Sequence, residues 1–119
     1  MGHVRVPLRI TNPDNPEMTI LVPDAVIDTG ATSTCVPASL AVNLALRTRG
    51  SASVRIVEGV QELRASWAEL ELEGKSLVTH ILISDTLDTV LVGVTTLEGM
   101  GFAVDPVGER LIPTELLLL

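Results

Sequence analysis

The chain has 119 residues, 8 Lys and Arg against 15 Asp and Glu, and a formal net charge of −7. That length fits one compact domain, and its 46 % apolar content is too high for a disordered segment. The acidic balance, with one Trp, one Phe and no Tyr, argues against nucleic acid as the partner, since phosphates need clustered cations and bases need aromatic platforms.

The elements follow a period of two from the start. His3 to Ile10 places Val4, Val6, Leu8 and Ile10 on one face, the pattern of a half-buried strand. Thr11 to Pro16 is a turn cluster of Asn, Asp and Pro. Met18 to Ile27 resumes as strand, with Pro23-Asp24 as an edge or bulge. The small and polar residues from Asp28 to Thr34 make a loop at the end of a buried strand. Ala38 to Leu46 has apolar residues at three- and four-residue spacings and predicts a short helix. Ser51 to Val57 is a strand, and Glu58-Gly59-Val60-Gln61 a turn with glycine at its tip. From Leu63 to Glu73, Ala68, Leu70 and Leu72 face inward while Trp67, Glu69, Glu71 and Glu73 face out. Gly74-Lys75 is a hairpin turn of the Gly-X kind. Ser76 to Ile83 is apolar enough to be buried on both faces. A loop through Asp85 and Asp88 leads into Thr89 to Gly93, and Val94 to Met100 is a second short helix. Phe102 to Asp105 and Arg110 to Pro113 are final strands around a turn at 106–109. Many short strands with close turn signals predict an all-β, barrel-like fold with one or two short helices.

Asp28-Thr29-Gly30 is the sharpest chemical feature. An acid at the end of a rigid strand is held in place, and a following glycine lets the backbone turn and a substrate approach. The tripeptide alone reads more readily as a strand-ending turn. Cys35, the sole cysteine, is read as a buried thiol, because a nucleophile needs a base and only His3 and His80 offer one. Asp85, Asp88 and Asp105 lack the spacing of a cation cage, so no metal and no cofactor are expected. Trp67 covers a flank or meets a partner. No secretory start is expected from Met1-Gly2-His3-Val4-Arg5, and no apolar run reaches the ~18 residues of a membrane span. The expectation is a soluble cytoplasmic protein with no membrane partner.

In context, the chain resembles the retropepsin-like aspartic proteases, small retroviral-type homodimeric enzymes with bacterial members. Three pieces carry the resemblance in order: Ala25 to Ser33 around Asp28-Thr29-Gly30-Ala31, the Glu58-Gly59-Val60 hairpin, and Val90-Leu91-Val92-Gly93-Val94 before a helix. Phe102 to Pro106 and Arg110 to Pro113 match the ending of bacterial members. The resemblance implies a single retropepsin-like aspartic protease domain over 1–119, a small closed acid-protease barrel that dimerises with itself. It implies Asp28 as the catalytic carboxylate, Thr29 as a hydroxyl bonding across the dimer, and Gly30 as backbone beside the substrate. Gly59 becomes the tip of a mobile flap with Glu58 and Val60 beside it. Ala31, Leu91, Val92 and Gly93 support the active loop. A glycine-rich flap, usual in the retroviral enzymes, is absent: only Gly59 lies between Val57 and Arg64.

The implied chemistry is peptide-bond hydrolysis, in which one carboxylate takes a proton from water and a neighbouring carboxylic acid gives one to the carbonyl oxygen. A chain with one such motif supplies one acid, so two copies must meet about a two-fold axis. The terminal Leu116 to Leu119 is then expected near the subunit interface, unless the chain is cut from a longer one. The alternative is a non-catalytic dimerisation or peptide-binding module on the same fold.

Overall fold

The first strand sets the inside of the molecule. In the computed structural model, which describes residues 4–105 and 107–114, β1 (Arg5–Asn12) buries Val6, Leu8, Ile10 and Asn12 and turns Arg5, Pro7 and Arg9 outward. It pairs antiparallel with β2 (Asn15–Ile27). The turn between them is shorter than the expected 11–16 because the Asn12 side chain closes it. Its carbonyl accepts the Asp14 N–H (2.8 Å), while its amide donates to the carbonyls of Leu44 (2.9 Å) and Ala45 (3.1 Å). Between the pairs Val6–Ala25 and Leu8–Val22, two residues of β2 oppose one of β1. That bulge is Pro23-Asp24, as expected, opposite Pro7, where neither proline has an N–H to leave unpaired.

The chain continues through β3 (Thr34–Pro37), α1 (Ala38–Asn43), β4 (Gly50–Ile56), β5 (Gly59–Leu72), β6 (Lys75–Ser84), β7 (Leu91–Val92), α2 (Val94–Met100), β8 (Phe102–Asp105) and β9 (Arg110–Pro113). The main sheet has the order β1-β2-β7-β3-β6-β5-β4, and β5 pairs back onto β1. Six strands therefore close into a small barrel, with β4 outside it as the free arm of the β4–β5 hairpin. Antiparallel pairing of β8 with β9 makes a separate two-stranded sheet. Inside the barrel lie Leu8, Ile10, Val36, Leu70, Leu72, Ile81 and Val92, all fully buried, each Leu or Ile contributing about 1.5–3 kcal/mol by leaving water. Residues 68, 70 and 72 of β5 point into this core and 67, 69 and 71 away from it, following the alternation of the sequence.

Four local expectations are corrected. β3, not anticipated, forms because Thr34–Pro37 fits between β6 and β7. The first helix stops at Asn43, and Leu46 lies beyond it: Leu44 caps its end and Ala45 takes a left-handed φ of 53°, both with carbonyls held by Asn12. The β5–β6 turn is Glu73-Gly74, both at positive φ (49° and 82°), the mirror-type turn that suits twisted strands, and Lys75 already belongs to β6. Finally, β6 is buried only from Ile81 to Ser84, the part flanked by β3 as well as β5, and Val78 is half exposed. α2 spans the expected residues and ends on Gly101 at φ 79°, whose N–H reaches the Glu98 carbonyl. The strands at 102–105 and 110–113 fall where expected. His3, Pro106 and Leu116 to Leu119 lie outside the described residues. No helix is long and apolar enough to cross a membrane among those described.

Candidate active site

Asp28 follows directly on β2, whose last residues Val26 and Ile27 pair in parallel with Leu91 and Val92. Its N–H donates to the Val92 carbonyl (2.9 Å), and the preceding Ile27 N–H to Val4 (2.8 Å), so the acid starts from a fixed backbone. The loop then folds onto itself. The Gly30 N–H donates to Asp28 Oδ1 (3.0 Å) and the Ala31 N–H to the Asp28 carbonyl (3.1 Å). A side chain at Gly30 would crowd Oδ1 at 3.3 Å. The carboxylate is thus oriented by a backbone donor and remains partly exposed, while Thr29 and Gly30 are exposed beside it. Among the described residues the Thr29 hydroxyl makes no hydrogen bond.

The chain passes behind this loop at Gly93. A Cβ there would lie 2.4 Å from the Ser33 carbonyl carbon, 2.6 Å from its oxygen and 2.8 Å from the Thr32 oxygen, so only glycine fits. The crossing is stitched by the Val94 N–H to the Ala31 carbonyl (2.8 Å) and the Thr95 N–H to Thr32 (3.0 Å). The Gly93 N–H itself donates to Thr34 Oγ1 (3.0 Å), which shares a 2.7 Å hydrogen bond with Thr96 Oγ1. Both threonines are fully buried. Sequence reasoning passed over this pair. The signal was a threonine facing the apolar interior of a short helix, where a hydroxyl needs a partner.

A cavity of about 670 Å3 separates the Asp28 loop from the β4–β5 hairpin, a size suited to a small ligand or a peptide segment. Asp28, Gly30, Ala31 and Leu91 border it on one side, and Val54, Ile56, Gln61 and Leu63 on the other. Leu91 therefore forms cavity wall, while Val92 is fully buried and Gly93 sits behind the loop. The hairpin tip is Val57-Glu58, one step before the expected glycine: Gly59 opens β5, pairs with Ile56 and adopts φ 136°. Glu58, Gly59 and Val60 do not border the cavity. Glycine is required beside the tip by its backbone angle and not at its apex. Cys35 borders the cavity too, half-buried. Burial pushes its thiol above the ordinary value, only partly offset by a hydrogen bond with the Val36 backbone, which keeps it protonated and a poor nucleophile. Among the described residues no group of three His, Cys, Asp or Glu side chains converges as a metal site.

No protein-family model and no curated sequence matches this chain. Solved structures do. The EIAV protease, in complex with an inhibitor, is similar with a TM-score of 0.66 and 16 % identity over 98 % of this chain and 94 % of its own. A retropepsin-like aspartic protease from Rickettsia conorii matches with a TM-score of 0.60 and 21 % identity, covering 87 % of this chain and 77 % of that one. The simian foamy virus protease matches at 0.52 and 20 %, over 77 % of this chain and 91 % of its own. The chain has a retropepsin-like fold.

Proposed function

We propose that this protein is an aspartic endopeptidase, a single domain that works as a homodimer. The observation that carries the reading is the position of Asp28: a strand-end acid, oriented by the Gly30 N–H and braced from behind at Gly93, at the edge of a largely apolar cavity under a hairpin. One such acid is half of the machinery. Two copies meeting about a two-fold axis bring two Asp28 carboxyls together, and like charges at that distance retain one proton between them. The ionised partner takes a proton from water, the protonated one donates to the carbonyl oxygen of the scissile bond, and the attack on the carbonyl carbon is balanced. Thr29, with its hydroxyl unengaged among the described residues, is the residue to bond across that axis. The substrate is a peptide in extended form, which suits a cavity walled by a strand hairpin. No cofactor enters the reaction.

The experiment is cleavage of a peptide library between about pH 4 and 9, followed by mass spectrometry, with sedimentation run in parallel. A dimer that cleaves best below neutral pH, loses cleavage in Asp28→Asn and keeps it in Cys35→Ser is the expected result. Loss in Cys35→Ser with Asp28→Asn still active reverses the assignment to a thiol enzyme. A dimer that binds peptides and cuts none is the non-catalytic module, and a rate flat across the pH range contradicts the shared proton.

A further inference from the structure

We infer that Gln61 is the side chain by which the β4–β5 hairpin selects an uncharged, hydrogen-bonding side chain of the substrate. The inference rests on the cavity being the peptide site proposed above. The hairpin register pairs Ala52 with Leu63, Val54 with Gln61 and Ile56 with Gly59. These residues share the face turned to the Asp28 loop, and Ala52, Val54, Ile56, Gln61 and Leu63 border the cavity. Gln61 alone among them carries a hydrogen-bonding side chain. Ser53 and Arg55 border the cavity from the other face of β4. Glu62, the neighbour of Gln61 on β5, turns away and is engaged by the Ser51 hydroxyl (2.9 Å).

An amide among apolar neighbours needs a partner. Val54 across the strand pair and Leu63 along it offer none, and Gly59 has no side chain. Among the described residues the Gln61 amide makes no hydrogen bond, yet no fully buried side-chain N or O atom there lacks a partner. The half-buried amide is therefore reached by solvent, its donor and acceptor both free, on a residue that borders the cavity. The space beside it is also clear: a Cβ at Gly59 would meet nothing within 4 Å. A peptide lying under the hairpin displaces the water from this amide. An apolar substrate group then leaves both of its polar atoms unpaired, whereas an Asn, Gln, Ser or Thr side chain satisfies them, which is the arrangement that discriminates most strongly between substrates. The hairpin backbone reads the extended main chain of any peptide, so side-chain choice falls to the position that differs chemically from the rest of its face.

The test compares wild type, Gln61→Leu and Gln61→Glu on the peptide library, with thermal melts confirming that all three fold. Wild type is expected to favour an uncharged polar residue at one subsite. In Gln61→Leu that subsite turns apolar, with kcat/KM for polar peptides falling about tenfold and that for apolar ones held or raised. In Gln61→Glu the same subsite turns to Lys and Arg. An unchanged subsite profile in Gln61→Leu, or an equal fall for every peptide, overturns the inference while leaving the peptidase reading intact. Should wild type cleave nothing, the peptidase reading fails separately. Calorimetric titration of the same peptides into wild type and Gln61→Leu then decides the point: a polar preference lost in the variant supports it, and equal selection, or no binding at all, overturns it.

Discussion

Gly93→Ala adds one methyl group where the chain crosses behind the Asp28 loop. That methyl would sit 2.4 Å from the Ser33 carbonyl carbon, whereas ordinary contact begins at 3.4 Å, so the two segments must part by about 1 Å. All three atoms in its way are backbone, and no rotamer change relieves them. Parting by that much stretches the 2.8 Å bond between Val94 and Ala31 to about 3.8 Å, outside hydrogen-bonding range. Overpacking of this kind costs about 1–3 kcal/mol and each weakened bond about 1 kcal/mol. A loss of about 2–4 kcal/mol follows, or a fall in Tm of about 8–16 °C for a domain of this size. Under the proposed function the acid moves with its loop, and a displacement near 1 Å lowers turnover about a hundredfold. Circular dichroism melts give the first number, and peptide cleavage well below the variant's Tm gives the second. Gly93→Ala melting within about 2 °C of wild type with unchanged kcat/KM would refute the claim that this crossing shapes the site.

Thr34→Val keeps the volume of the side chain but strips the Gly93 N–H and the Thr96 hydroxyl of their buried partner. Denaturant unfolding should show a loss of about 1–3 kcal/mol, with Thr34→Ser restoring most of it, and equal loss in both variants would mean that packing and not the hydroxyl matters. At the β8–β9 turn, the Asp105 carboxyl is held below its ordinary value of 3.8 by the Gly108 and Val107 backbone N–H groups, with Arg110 adding a smaller pull. A carboxyl lowered in the folded state stabilises the turn above the unfolded value and releases it as pH falls through the lower folded one. The amide resonances of Val107 and Gly108 should therefore titrate with a midpoint below 3.8, lose that titration in Asp105→Asn, and count against the reasoning if the midpoint lies higher.

Where strand alternation or a helix-ending glycine gave the signal, the structure followed it. The alternation of Val6, Leu8 and Ile10 defined the buried face of β1, and Gly101 ended α2 where a left-handed residue was needed. Signals that depend on distant partners were unreadable. β3 is four residues with a proline at its end, and it is a strand because β6 and β7 flank it, some 45 or more positions later in the chain. Barrel closure between β1 and β5 leaves no local mark either. At both hairpins the turn was misplaced by one residue. Gly59 follows its tip to satisfy an extended positive φ, and Glu73 takes a left-handed angle that its residue type does not announce. At the candidate site, Asp28 stood out through the Asp28-Thr29-Gly30 string and Gly93 through the family resemblance, while the close backbone approach that demands glycine at 93 is visible only in the structure. The threonine pair and Gln61 did not stand out, since a hydroxyl or amide gains meaning only from what surrounds it in space.

The parallel pairing of β2 with β7 has a consequence in time. Val26 and Ile27 leave the ribosome 65 residues ahead of Leu91 and Val92, the strand that fixes them, and the glycine that fits behind their loop comes next. Contacts between such remote stretches form late, because a long loop must close before any of them is rewarded. A nascent or truncated chain ending before Gly93 can hold much of its β1–β2 and β4–β5 hairpins while Asp28 sits on an unbraced loop. Shaping of this acid therefore waits until Gly93, 65 residues further on, has been made, so a polypeptide stopped short of it carries the residue without the geometry that the proposed function requires.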